Sequence, residues 1–344
     1  MGIRKLAKDL QLSVSTVSRA LSDSDEVSAK TRERVREAAL AQGYAPNKAA
    51  ASLRKGRLDV IGLMLPARRE EENYTLGVFM TLADGLQSVL ALHGMDLVMY
   101  GSKSYEEEFA RLRRIVERRH VDGVILAGTR RQDERLDYVA ARGFPLVSLG
   151  RCESCADQPW VDLDFEAAAV AAVARLVAQG HRHIAIGVPG NDAMQAHVYT
   201  NAWRAAMQSH GLVPREEDVQ INELSERGGY LITEALLAQP NPPTAIMFQS
   251  DAMAVGAYRK LHELGRLPGR DLAISGGVLS SDVPEYLSPR LSGFTVDAYA
   301  LGQHLAKALL MQIPDFAGLY GKTPRQTLWP LTLRERESDL GAPR

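Results

Sequence analysis

Hydrophobic positions near the start of the chain recur in short stripes separated by turns. Leu6, Ala7 and Leu10 form one; Val17, Ala20 and Leu21 form a second at i, i+3 and i+4; Val35, Ala38 and Ala39 form a third. This spacing predicts three short helices around one small core. Gln11-Leu12 leaves room only for a tight turn before Ser13, which stands where an N-cap belongs, and Ser28 and Gly43 bracket the third helix. With about 100° between successive residues, Ser15, Ser18, Arg19 and Ser22 fall opposite the stripe of the second helix. A face of short hydroxyls with one guanidinium suits neither a core nor an ordinary turn. Two short helices joined this way form a helix-turn-helix, whose second helix enters the DNA major groove.

Tyr44-Ala45-Pro46-Asn47 ends the third helix. Residues 48–57, KAAASLRKGR, are Ala-rich, basic and able to form a helix, but have too little apolar surface to fold alone. They predict a conditional helix that forms against something else, and their four basic residues point to DNA. From Val60 the pattern changes to apolar strand-like runs, among them Val60–Leu65, Gly123–Leu126, Ile184–Val188, Ala245–Phe248 and Leu272–Ser275. Helix-periodic segments such as 75–93, 106–119, 166–179, 200–210 and 251–264 lie between them. The alternation predicts parallel, Rossmann-like sheets with helices on both faces, and residues 59–344 are long enough for two such lobes. A ligand cleft is expected at the carboxyl ends of the strands. The expected division is therefore a helix-turn-helix headpiece over 1–46, a hinge over 47–58 and a two-lobed sensor over 59–344.

Charge sharpens this picture. The formal net charge is only −1, yet residues 1–58 carry 12 Lys and Arg against 6 Asp and Glu, a net +6 that leaves −7 for the rest. A basic head on an acidic body is expected where only the head meets phosphate. No apolar run is long enough to span a membrane and no signal-peptide pattern opens the chain, so the expected location is cytoplasmic. The two cysteines, Cys152 and Cys155, are too few for a zinc site and read as incidental loop thiols. No G-x-S-x-G, no P-loop and no metal-spaced cluster occurs, so neither enzyme chemistry nor a cofactor is expected.

The stretches SVSTVSRAL, VSAKTRERV, GYAPN and the Ala-rich segment ending at Leu53 closely resemble the lactose-repressor (LacI) family of bacterial transcription regulators. GHRHIAIGVPG, PPTAIMFQSDAMAVGAYRKL and WPLTLRERES follow in the family's order. The resemblance implies a periplasmic-binding-protein-like sensor domain and a homodimer on double-stranded, pseudo-palindromic operator DNA. It places Val14, Ser15 and Arg19 at base edges, Ser13, Thr16, Ser18 and Asn47 at phosphates, and Ala50 and Leu53 in the minor groove. It implies a small-molecule effector, a carbohydrate or derivative, between the lobes, with Asn73, Tyr74, Arg151, Asn191, His197 and Asp251 as candidate contacts. Asp251, at a helix start, reads first as an N-cap and second as a ligand contact.

The sensor departs from the family pattern. His197 stands where an arginine is usual, and Ala202-Trp203 replaces a glycine-aromatic pair. Gly277-Val278-Leu279-Ser280-Ser281 replaces an aromatic followed by aspartates that hold ligand hydroxyls. Trp203 and Trp160 could stack on a sugar ring, but Trp203 has the helical neighbours of a core residue. Asp162 and Asp164 read as strand-edge polar residues beside a helix start. The alternative function is a solute-binding protein, which would leave the basic head unexplained.

Overall fold

A computed structural model describes residues 2–21, 25–44, 56–66, 76–154, 157–190, 192–321 and 323–341. Ser22, Asn47, Ala50, Leu53, Asn73, Tyr74, Cys155 and Asn191 lie outside the described residues. Contacts divide the chain at Asp59/Val60 into two units.

In the first unit the three apolar stripes become α1 (Ile3–Asp9), α2 (Val14–Leu21) and α3 (Ala29–Ala41). Leu6, Val17, Ala20 and Val35 are completely buried between them. Gln11 closes the turn with φ of 53°, and the Leu12 N–H donates to the Ala7 carbonyl at 2.9 Å. Ser13 caps α2 by accepting the Thr16 N–H at 3.0 Å, and Ser28 caps α3 by accepting from Thr31 at 3.3 Å. The Arg34 guanidinium donates to the Leu10 carbonyl at 3.0 Å, satisfying a group that α1 leaves unpaired at its end.

The second unit runs β1 (Val60–Met64), α4 (Leu76–Leu90), β2 (Asp96–Tyr100), α5 (Tyr105–Glu117), β3 (Gly123–Ala127), α6 (Glu134–Ala140), β4 (Leu146–Leu149) and β5 (Trp160–Leu163). It continues with α7 (Phe165–Ala178), β6 (Ile184–Pro189), α8 (Met194–Ser209), β7 (Val219–Asn222), α9 (Glu226–Leu237), β8 (Ala245–Phe248), α10 (Asp251–Glu263), β9 (Ala273–Val278) and α11 (Val283–Tyr286). It ends with β10 (Ser292–Thr295), α12 (Ala298–Leu310), β11 (Gln326–Trp329) and β12 (Thr332–Arg334). Two six-stranded sheets result, ordered β11-β5-β4-β3-β1-β2 and β12-β10-β9-β8-β6-β7. The pairings are parallel except that β12 runs antiparallel to β10. The chain crosses between lobes after β5, after β10 and between β11 and β12, so each lobe is built from distant stretches.

The strands with continuous apolar runs form where the sequence predicts them. Strands β5, β7, β10, β11 and β12 do not announce themselves, because each is four residues or shorter and carries polar side chains. Helix α8 begins at Met194, not Thr200; its N-cap, Ala193, makes no side-chain hydrogen bond and so leaves no start signal in the sequence. Trp203 is fully buried in the core beneath α8, while Trp160 is half-buried on β5. Cys152 is disulfide-bonded and not a free thiol, which corrects the expectation of incidental thiols.

Candidate functional site

The candidate residues fall in two regions, the outer face of α2 and the cleft between the sensor lobes. On α2, Ser13, Val14, Ser15 and Arg19 are exposed and Thr16 and Ser18 are half-buried. The Ser13 hydroxyl lies 2.7 Å from that of Ser15 and 2.8 Å from that of Thr16, so the three form one chain at the start of the helix. Val14 falls nearer the core side on a helical wheel, yet as the first residue of α2 it is 42 % exposed. Arg19 pairs with Glu26 at 3.0 Å, with both side chains more than half exposed. A solvated pair of this kind is worth little, so a base edge can displace it.

Within the second unit, a cavity of about 250 Å³ lies between the lobes. Its walls are the carboxyl ends of the parallel strands. Leu65, Ala127, Leu149 and Asp162 come from one lobe, and Gln249, Val278 and Ser280 from the other. The lining is mostly apolar, with Phe79, Phe165 and Val296 contributing large surfaces. The lobes also meet beside it: Arg130 and Ala193 form an antiparallel bridge, and the Met194 N–H donates to the Thr129 carbonyl at 3.1 Å.

Charge in the wall is concentrated in buried groups. Arg135 on α6 is 1 % exposed and grips Asp133 with Nε at 2.9 Å and Nη2 at 2.6 Å. It also meets the Glu108 carboxylate through Nη1 and donates to the Gly128 carbonyl at 2.8 Å. Burial alone would lower the Arg135 pKa, but Asp133 and Glu108 outweigh it and hold the guanidinium above its ordinary value. Arg130 stacks over the Tyr105 ring with its guanidinium carbon 3.5 Å from the centroid.

The candidate contacts are distributed unevenly around this cavity. Arg151 does not line it; the Arg151 Nε lies 2.9 Å from Asp162, which does. His197 sits on α8 away from the cavity, 3.0 Å from the Asn201 amide and 3.7 Å from Glu153 of the other lobe. Asp251 is fully buried, accepting the Ser280 N–H at 3.0 Å and the Ser280 and Ser281 hydroxyls at 3.2 and 3.4 Å. The N-cap of α10 is Ser250, one residue earlier, which accepts the Ala252 N–H. Asp251 thus braces the Gly277–Ser281 segment from behind. Sequence reasoning missed Gln249, Glu108, Arg130 and Arg135 and set Asp162 aside. Asp162 was accessible to topology, as the last polar residue at a strand's carboxyl end; the others come together only by folding.

Burial pushes the Asp162 carboxyl up from 3.8 to about 6, with Arg151 opposing. The folded chain therefore holds this proton more tightly than the unfolded chain does. The resulting stability is complete below pH 4 and is lost as pH rises through 6. Asp162→Asn should gain stability relative to the natural chain between pH 4 and 7. The thermal midpoints of both, compared across that range, check it, and a constant offset would rule it out.

Among the described residues no cluster of three or more His, Cys, Asp or Glu could hold a metal, and no helix is long and apolar enough to cross a membrane. A hydroxyl-lined helix-turn-helix and a two-lobed α/β domain with a cleft between its lobes together define a class: regulators that couple DNA binding to small-molecule sensing. Residues 3–47 match the family model for bacterial regulatory proteins, lacI family, and residues 173–338 match that for the periplasmic binding protein-like domain. The chain is 33 % identical over 271 residues to the HTH-type transcriptional regulator RafR of Escherichia coli, covering 79 % of each protein. Its fold matches a CelR–cellobiose complex with a TM-score of 0.74 at 26 % identity, covering 98 % of this chain and 99 % of the other. It also matches the lac repressor dimer bound to operator and an anti-inducer with a TM-score of 0.83 at 23 % identity, covering 99 % of each. The protein belongs to the LacI family and is a DNA-binding transcriptional regulator with an effector-binding sensor domain.

Proposed function

We propose that this regulator is a cytoplasmic homodimer that places α2 of each subunit in the major groove of a pseudo-palindromic operator. A small molecule in the cleft, a carbohydrate or derivative, controls that binding. Val14, Ser15 and Arg19 read base edges, while Ser13, Thr16, Ser18 and Asn47 hold phosphates and set register. Ala50 and Leu53 enter the minor groove from the hinge. The effector acts by binding one arrangement of the lobes better than another, and it leaves without chemical change. The relatives support this reading: CelR was solved with cellobiose, and the lac repressor was solved as a dimer on operator DNA. A solute-binding protein would leave the helix-turn-helix without a role.

The observation that carries the proposal is the exposed row of Ser13, Ser15 and Arg19 on a helix anchored by fully buried Val17 and Ala20. Arg19→Ala tests it. The expected loss is about 1–3 kcal/mol at a single operator base pair, with preference relaxed at that position. Fluorescence anisotropy against a library of single-base operator variants checks this. Equal weakening on every sequence would remove Arg19 from the reading residues.

A further inference from the structure

The Gln249 side chain borders the cleft, is 3 % exposed, and has no hydrogen-bond partner at either Oε1 or Nε2. Its backbone is locked on both sides. The Gln249 N–H donates to the Gly187 carbonyl at 3.1 Å, and the Gln249 carbonyl accepts the Val278 N–H at 3.0 Å. Gly277, with φ of 59°, packs so closely that a Cβ there would lie 2.3 Å from the Gln249 carbonyl. The backbone from which the amide projects is therefore fixed ahead of any ligand. A buried amide without partners destabilises the empty protein, and such groups persist where something else completes them.

Gln195, Ser250 and Ser280 of that lobe also line the cavity, and the two serines already have hydrogen-bond partners. The segment Gly277–Ser281 lacks carboxylates, and Asp251 is occupied by Ser280 and Ser281. We infer that Gln249 is the effector anchor of the C-terminal lobe, and that its carboxamide grips two adjacent hydroxyls of a neutral polyol. One hydroxyl donates to Oε1 while its neighbour accepts from Nε2. Phe79, Phe165 and Val296 cover the apolar face of the same molecule. Asp162 faces the cavity from the opposite lobe, so one ligand touching both groups ties the lobes together. This deepens the proposed effector role of the cleft and rests on it.

The test compares full-length protein with Gln249→Leu, which keeps the bulk and removes the amide. Ribose, cellobiose, melibiose and raffinose serve as probes in thermal melting and titration calorimetry. Without sugar, Gln249→Leu is expected to melt at or above the natural temperature, because an unpaired polar group has gone. For any sugar that stabilises the natural protein, the variant is expected to lose at least tenfold in affinity. A melting point several degrees lower without sugar would mean that a structural partner satisfies the amide, and would overturn the inference. So would equal affinity of both proteins for a sugar that binds. If no probe stabilises the natural protein, the carbohydrate reading fails first, a result visible without the variant, and the polyol anchor falls with it.

Discussion

Replacing Arg135 with leucine is expected to cost the sensor domain about 3–5 kcal/mol, the largest effect of any single change in the cleft wall. Arg135 is the cation shared by Asp133 and Glu108, and all three side chains are at most 1 % exposed. The substitution removes the cation that both buried carboxylates share, and it also frees the Gly128 carbonyl. Urea denaturation near pH 7 would measure the loss. A loss below about 1 kcal/mol would mean that water reaches the two carboxylates. Because Glu108 and Arg135 both line the cavity, ligand binding should suffer along with stability.

Gly229→Ala should be the next most damaging, at about half that loss, for a steric reason. Helices α9 and α10 cross so closely that a Cβ on Gly229 would lie 1.8 Å from the Met253 carbonyl oxygen. Gly256 faces back across the same crossing, where a Cβ would lie 1.8 Å from the Glu226 carbonyl oxygen. Backbone cannot swing aside as a flexible side chain can, so the helices must separate. Alanine's better helix propensity returns about 1 kcal/mol. Overpacking typically costs about 1–3 kcal/mol and more where backbone is displaced, so a net loss near 2 kcal/mol is expected. A thermal midpoint several degrees lower checks this; an unchanged or raised midpoint would show that the helices can part freely.

Much of the first unit is legible in sequence because its interactions are local. Ser13 caps α2 three residues away, the stripes repeat every three or four positions, and the turn at Gln11-Leu12 is too short for anything else. The parallel sheets are legible for a related reason, since a strand buried on both faces must be apolar throughout, as Gly123–Ala127 and Ala245–Phe248 are. Strand β11 has no such mark. It joins β5 across more than 160 residues, and its alternating burial would fit a surface loop as well.

The cleft divides along the same line. Periodicity and the order of strands and helices suffice to say that a two-lobed sensor follows a helix-turn-helix, because each element forms from residues near one another in the chain. They do not say which side chains face the ligand. Arg135 and Glu108 are 27 residues apart, and Gln249 lies between an ordinary strand and an ordinary N-cap. Asp251, a ligand candidate by position, is turned inward to Ser280, while Gln249, without any motif, is left facing the cavity with its amide unpaired. Those outcomes depend on how distant strands converge, and on which polar groups find partners once water has been excluded.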